Sequence, residues 1–430
     1  MVTRLLTEAE RPYPAGEAGT PLVIQATSSS DLSFLKAFLS AHTQSIRNDL
    51  YGHGAVLLRG FRITSPRDFE EALTSIQGFR PMKGYFMSEQ GRDPVKGTDY
   101  VFDTSTFFIS GGDFRFGGVH SENYYSPDVP QFQCLCCLKR PWIGGETALF
   151  HMANTYEGLR ERLAPKLETE SFVANVISLQ SVADRYKLPE AEVETFLKDN
   201  GVELIQWNGR KVMLNHKPSI LCHPHTGRPS LQVNLSLELK NLDHQRHFLA
   251  GYGGMKWALH RLAWRRPRVL KALTYIAHLS RAIRHPSLFW HFLLEPLGRR
   301  FVRSAPEQQP AKPAGAPAIP RIGQRLDPED QRLLGRALWE HSSVFTWQAG
   351  DVLIVDNLQM HHAGMPGFGP RDLKVVMGNP ISVSTRGSTG LHRLGVDDAF
   401  VSLHDRLAQL AARHAGLPPV ATEHRGVSSR

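Results

Sequence analysis

The stretch "WQAGDVLIVDNLQMHHAGMPGFGPR", residues 347–371, decides how this chain is read. An apolar strand pattern leads into two adjacent histidines, His361 and His362. Nine residues beyond His362, on the far side of a Gly/Pro turn, stands Arg371. Neighbours on a strand face opposite sides, so only one of the two imidazoles can serve a given site. An arginine placed beyond such a turn can grip a carboxylate through two parallel hydrogen bonds.

The complementary stretch is "GGVHSENYYSPD", residues 117–128. Read as a strand, it directs His120 and Glu122 to one face, where both can reach one ion. Such a pair alone is a weak signal, because exposed strands carry it by chance. A third donor from another strand, His361 or His362, completes a set of two imidazoles and one carboxylate. That set leaves three positions of an octahedron open, which suits a non-haem Fe(II) that must also hold a co-substrate and oxygen. Arg371 facing this site suggests an acidic co-substrate. "GGET" (144–147) brings Thr147, whose hydroxyl can donate to the same carboxylate.

Around these stretches the chain reads as strands, a helical interruption, then strands. Expected strands are "GAVLLRGF" (54–61), "QFQCLCCLKR" (131–140), "GDVLIVDNLQMHH" (350–362) and "LKVVMGNPISV" (373–383); "WIGGETALF" (142–150) reads as a turn into another strand, and short strands are expected around "VELIQWNGRKVML" (202–214) and "SLQVNLSL" (230–237). Residues 100–118 suggest strands joined by a loop. Helical spacing marks 31–50, 65–76, 153–163, 189–201 and 327–342, with Ser65 as N-cap and Pro66 at the first helical position of the second. Residues 240–303 are helix-compatible, and the Pro/Ala stretch 305–320 reads as a linker or mobile loop. A β core split by a helical insertion, 240–325, within one domain spanning 1–430 explains this order better than two consecutive domains.

The 430 residues allow a sizeable core, and 41% hydrophobic with 21% charged residues exclude a disordered chain. Four cysteines are too few for a disulfide scaffold, and three of them, Cys134, Cys136 and Cys137, read as part of a buried strand. This usage suits a reducing cytoplasm. The N-terminus lacks the apolar core of a signal peptide, and no apolar run approaches the ~20 residues that span a bilayer. The net charge of +9 is concentrated: residues 255–303 hold eleven Lys/Arg against one acid, whereas the rest holds 39 basic and 40 acidic residues. No recognition motif accompanies the charge, so nucleic acid is not an expected partner. The basic helices read as a cap packed on the β core, a lid, a dock for an acidic carrier protein, or a membrane-surface contact.

Taken together, "GAVLLRGF", "VHSENYY" followed by "GGET", "HPHTGRP" running into "LQVNL", and the segment ending in Arg371 resemble the taurine dioxygenase/clavaminate synthase-like group of Fe(II)- and 2-oxoglutarate-dependent oxygenases. The likeness covers most of the chain outside 240–325, and is closer to the branch that hydroxylates amino acids in peptide natural-product biosynthesis. It implies a mainly β fold with α (α+β), a double-stranded β-helix or cupin-like jelly roll with flanking helices. It implies Fe(II) on His120, Glu122 and His362, with His362 favoured over His361 because the small Ala363 follows it. It implies 2-oxoglutarate held by Arg371 and Thr147, and O2 as the oxidant. A Gly-Arg pair common in close relatives after this His is Ala363-Gly364 here. Related halogenases replace the carboxylate by a small residue, so Glu122 favours hydroxylation or desaturation of an amino-acid-like or carrier-tethered small molecule. Tyr124, Phe102 and Asn215 are the expected substrate neighbours. His216, His223 and His225 read as turn or substrate-proximal residues, Asp351 as a turn residue, and Asp356-Asn357 as the shaper of a strand end. The rival of another class is a barrel that binds metal or ligand without turnover.

Overall fold

The computed structural model describes residues 1–13, 16–84, 94–104, 118–124, 126–168, 171–207, 209–232, 258–266, 268–269, 272, 326–383, 392–394 and 400–417. The expectations for 105–117, 233–257 and most of the insertion lie outside these residues. Of the basic segment, the helix Ala258–Arg265 is described.

Two sheets carry the architecture. The larger runs in the order Val2–Arg4, Leu22–Gln25, Ala55–Arg59, Val352–Asp356, Asp128–Lys139, Asp372–Ser382, Phe102–Asp103. Its pairings are antiparallel except the one between Leu22–Gln25 and Ala55–Arg59. The smaller is antiparallel, with Thr147–His151 flanked by Ser342–Phe345 and Met360–Gly364. One core lies between them: Leu135, Leu353 and Val375 from the larger sheet meet Leu149, Phe345 and Met360 from the smaller. Helices Leu32–Ala41, Thr43–His53 and Pro66–Thr74 pack on the outer face of the larger sheet. Helices Met152–Glu157, Arg160–Leu167 and Pro328–Glu340 cover the outer face of the smaller. The class is therefore mixed, with sheets and helices in layers.

This layering explains the apolar run in "QFQCLCCLK". Side chains alternate along Asp128–Lys139, so Phe132, Cys134 and Cys136 enter the helix-side core while Leu135 and Cys137 enter the core between sheets. A strand buried on both faces reads as continuous hydrophobicity. All four cysteines are buried and free, and burial raises the thiols of Cys134, Cys136 and Cys137 above their ordinary range.

Three expectations are corrected. The helix expected over 31–50 is two helices, broken at His42, where the Thr43 hydroxyl donates to the Leu39 carbonyl at 2.8 Å. The helix expected over 153–163 divides at Gly158 and Leu159. Most consequential, "GDVLIVDNLQMHH" is two strands in facing sheets. The Asp356 carboxylate accepts from Leu358 N at 3.1 Å and Gln359 Nε2 at 2.9 Å, and so turns the chain from one sheet to the other. The expected start at Ser65 is observed: its hydroxyl accepts from Asp68 N, and Pro66 occupies the first turn. Asp351 closes the turn after Gln348, where it accepts both Arg59 Nε at 3.0 Å and Arg59 Nη2 at 2.6 Å, with both side chains buried.

The strand Arg210–Pro218 delivers a fully buried lysine. Lys217 Nζ donates to the Val383 and Pro127 carbonyls, at 2.5 and 3.3 Å, and lies 5.6 Å from the Tyr124 ring centroid. Burial pulls its pKa from 10.5 down to about 7, against the attraction of Asp128. Between those values the unfolded chain binds more protons than the folded one, so this group makes stability rise with pH. Wild type is therefore expected to gain stability relative to Lys217→Met as pH is raised from about 7 to about 10. Urea midpoints read the effect, and parallel curves for the two proteins would sink the assignment.

Candidate metal centre

His120, Glu122 and His362 converge from two segments. The backbones of His120 and His362 face each other in an antiparallel bridge, with His120 N to His362 O at 3.2 Å and His362 N to His120 O at 2.9 Å. Their ring centroids are 4.4 Å apart. Glu122 reaches them by a route the strand reading does not contain. Residues 122–124 form a turn, and Asn123 takes a left-handed φ of 54°. Asparagine tolerates that conformation better than most residues. One donor atom from each of the three side chains lies within 4.8 Å of the others. Among the described residues this is the one such group of His, Cys, Asp and Glu.

Neighbouring polar groups aim these donors. His120 Nδ1 lies 2.7 Å from the Gly118 carbonyl, which can only accept. Nδ1 therefore carries the proton, and Nε2 keeps its lone pair for a metal. Asn357 pins the Glu122 backbone from both sides: its Oδ1 accepts Glu122 N at 2.7 Å and its Nδ2 donates to Glu122 O at 3.0 Å. The same Nδ2 donates to Pro130 O at 2.9 Å. Gln133 Nε2 donates to Glu122 Oε2 at 2.9 Å and lies 3.3 Å from His362 Nε2. Two imidazoles and a carboxylate, pre-aimed in this way, fit an Fe(II) ion.

Alternation along Met360–Gly364 separates the two histidines. Met360 faces the core between the sheets and Ala363 the helix-side core. His362 shares the first orientation and His361 the second. His361 is fully buried, 3.4 Å from Gln232 Oε1, and burial lowers its pKa to about 3. The structure thus brings His362, not His361, to His120 and Glu122.

Thr147 lies on the strand paired with that of His362, and Arg371 lies beside Gly145, two residues before Thr147. Thr147 pairs with Gly364, two residues along from His362, about 7 Å at strand rise and within reach of a five-carbon diacid. Trp347 Nε1 donates to Thr147 Oγ1 at 3.1 Å, so the threonine proton is left to point elsewhere. Arg371 is partly buried, and its Nε is buried with no hydrogen-bond partner among the described residues. Burial lowers the Arg371 pKa, opposed by Cys137 and Glu146. A desolvated guanidinium with an unmet donor fits an anionic ligand.

The strands Ile143–Gly144 and Gly367–Phe368 cross closely beside this arginine. A Cβ on Gly367 would lie 2.4 Å from the Gly145 nitrogen, and one on Gly145 would lie 3.4 Å from Arg371 Cδ. Gly367→Ala is expected to lower thermal stability, by about 1–3 kcal/mol as for other overpacked sites, and to weaken 2-oxoglutarate binding through displacement of the Arg371 turn. Melting curves and calorimetry check both parts. Unchanged values for both would remove the close approach as a constraint.

The remaining expected residues lie in several places. Tyr124 is buried, its hydroxyl donating to the Pro218 carbonyl at 2.7 Å. Phe102 pairs with Val375 at the sheet edge and packs in the core between the sheets. Asn215, at a bulge in its strand, lines a cavity of about 100 Å³ with Asp128, His216 and Arg406, and none of the metal cluster lines it. His223 is structural: its Nδ1 accepts from Thr226 N at 3.1 Å and its Nε2 lies 2.8 Å from Asp356 Oδ2. His225 stacks on Tyr51 with centroids 4.4 Å apart. His216 Nε2 is 2.9 Å from Glu203 Oε2. Sequence reasoning missed Gln133 and Trp347. Gln133 is a polar side chain at an inward position of a doubly buried strand, which is itself a signal.

A family model described as taurine catabolism dioxygenase TauD, TfdA family, matches residues 16–254. No curated protein matches the chain. Solved structures similar to it include a taurine dioxygenase from Burkholderia xenovorans, at 13% identity over 93% of this chain and 99% of that one, with a TM-score of 0.42. Another is PvcB from Pseudomonas aeruginosa, at 12% identity over 88% of this chain and 94% of that one, with a TM-score of 0.40.

Proposed function

The chain belongs to the TauD/TfdA dioxygenase family, with Fe(II), 2-oxoglutarate and O2 as its cofactor set, and we propose that it hydroxylates an unactivated C–H bond of an amino-acid-like or carrier-tethered small molecule. The observation that carries this reading is the His120–Glu122–His362 cluster, and the buried Arg371 Nε, without a hydrogen-bond partner among the described residues, supports an anionic co-substrate. With 2-oxoglutarate bound, the iron supplies oxidative decarboxylation to succinate coupled to oxidation of the substrate.

In this reading His120, Glu122 and His362 would hold the ion. Gly118 keeps the His120 proton on Nδ1, and Asn357 holds the Glu122 backbone. Arg371 would pair with the distal carboxylate of 2-oxoglutarate, and the Thr147 hydroxyl, whose oxygen accepts from Trp347 Nε1, would donate to the same group. The carboxylate of Glu122 occupies the place a halide would need, which supports hydroxylation over halogenation. We read the two facing sheets as a double-stranded β-helix, 1–430 as a single domain, and 240–325 as an insertion. The basic run 255–303 suits an acidic carrier.

The test is release of succinate from 2-oxoglutarate by purified, iron-loaded protein across a panel of free and carrier-bound amino acids. Iron-dependent turnover coupled to a hydroxylated product supports the reading, and an unsaturated product redirects it to desaturation. A loaded protein that never consumes 2-oxoglutarate would leave the non-catalytic barrel.

A further inference from the structure

Gln133 is a polar side chain that touches two members of the cluster from a third segment. It sits in the middle of Asp128–Lys139, opposite Val355 on one side and Met377 on the other. Ladders on both sides fix the backbone from which its side chain projects. The residue is 1% exposed. Its Nε2 reaches Glu122 Oε2 at 2.9 Å and lies 3.3 Å from His362 Nε2, whereas its Oε1 is buried without a hydrogen-bond partner among the described residues.

An amide nitrogen has two N–H groups and accepts nothing. Donating to Glu122 Oε2, it weakens that oxygen as a metal donor and stops the carboxylate from rotating about its last bond. Asn357 fixes the Glu122 backbone, and Gln133 anchors one oxygen of its carboxylate. We propose that Gln133 is a positioning residue that holds the Glu122 carboxylate at one rotation, so that the ion meets a single oxygen and the positions needed by co-substrate and oxygen stay open. The proposal rests on the iron-oxygenase reading. It concerns the aim of one ligand, not the presence of the site.

The test is Co(II) binding to the full chain, by calorimetry and by the visible absorption of the bound ion, in wild type, Gln133→Met and Gln133→Asn. Methionine fills the space without an N–H, and asparagine keeps the amide but draws it back by one methylene. Both are expected to weaken Co(II) binding on the order of tenfold, the usual effect of losing a partner of a metal ligand. Both should also change the visible spectrum, because the carboxylate that would ligate the ion loses its Gln133 donor. A merely structural role would lower the melting temperature of the metal-free protein and leave the spectrum unaltered. A folded Gln133→Met with wild-type affinity and spectrum overturns the proposal. If the methionine variant does not fold, the asparagine variant decides by the same two readouts. Wild type that binds no Co(II) overturns the metal-site reading itself, and this inference with it.

Discussion

Glu122→Ala is expected to reduce iron-dependent succinate release by at least about a hundredfold, since losing even an outer partner of a metal ligand typically lowers affinity or activity 10–100-fold. Glu122 is the only anion of the cluster, and no fourth His, Cys, Asp or Glu joins it among the described residues. A neutral site of two imidazoles would hold Fe(II) weakly, because the carboxylate is the hard donor of the set. Glu122→Asp should fall between. Asn357 pins the backbone at 2.7 and 3.0 Å, so a side chain shorter by one methylene cannot advance to compensate. Succinate assays run beside metal analysis separate loss of iron from loss of turnover. An alanine variant that loads iron and turns over like wild type would remove Glu122 from the site.

Glu122 also shows what a sequence can and cannot convey. The H-x-E spacing, taken as a strand, puts both residues on one face. The structure reaches the same convergence by a turn through Asn123, a left-handed step that no period-two pattern encodes. The histidine pair followed alternation as expected: Met360 and Ala363 mark the two faces, and His362 lies on the interior one. The strand leading to that pair was legible as apolar, but not as two strands, because the break depends on Asp356 folding back onto Leu358 and Gln359. The partners of the site were the least legible. Gln133 and Trp347 meet Glu122 and Thr147 across 11 and 200 residues of chain, and their roles exist only once the sheets face each other.

The second large effect concerns Arg371. Arg371→Leu is expected to raise the KM for 2-oxoglutarate on the order of a hundredfold, ~3 kcal/mol, within the range for truncating one partner of a buried charged pair. Metal affinity should change little, since Arg371 belongs to the turn after Gly367–Phe368 and is not in the donor cluster. Arg371→Lys should recover only part of the loss, because an ammonium cannot make the two parallel hydrogen bonds of a guanidinium. The partly buried guanidinium itself argues for an anionic partner. Its Nε finds no acceptor among the described residues, and burial already lowers its pKa against the pull of Cys137 and Glu146. Thr147→Val extends the argument. It removes the donor proposed for the co-substrate and also the acceptor of the Trp347 indole, so it should weaken 2-oxoglutarate binding and lower stability together. Thr147→Ser retains the hydroxyl and should spare both. Titration of 2-oxoglutarate into the four variants, with a nonreacting metal bound, reads these affinities directly. Equal affinity in Arg371→Leu and wild type would place the diacid elsewhere in the protein.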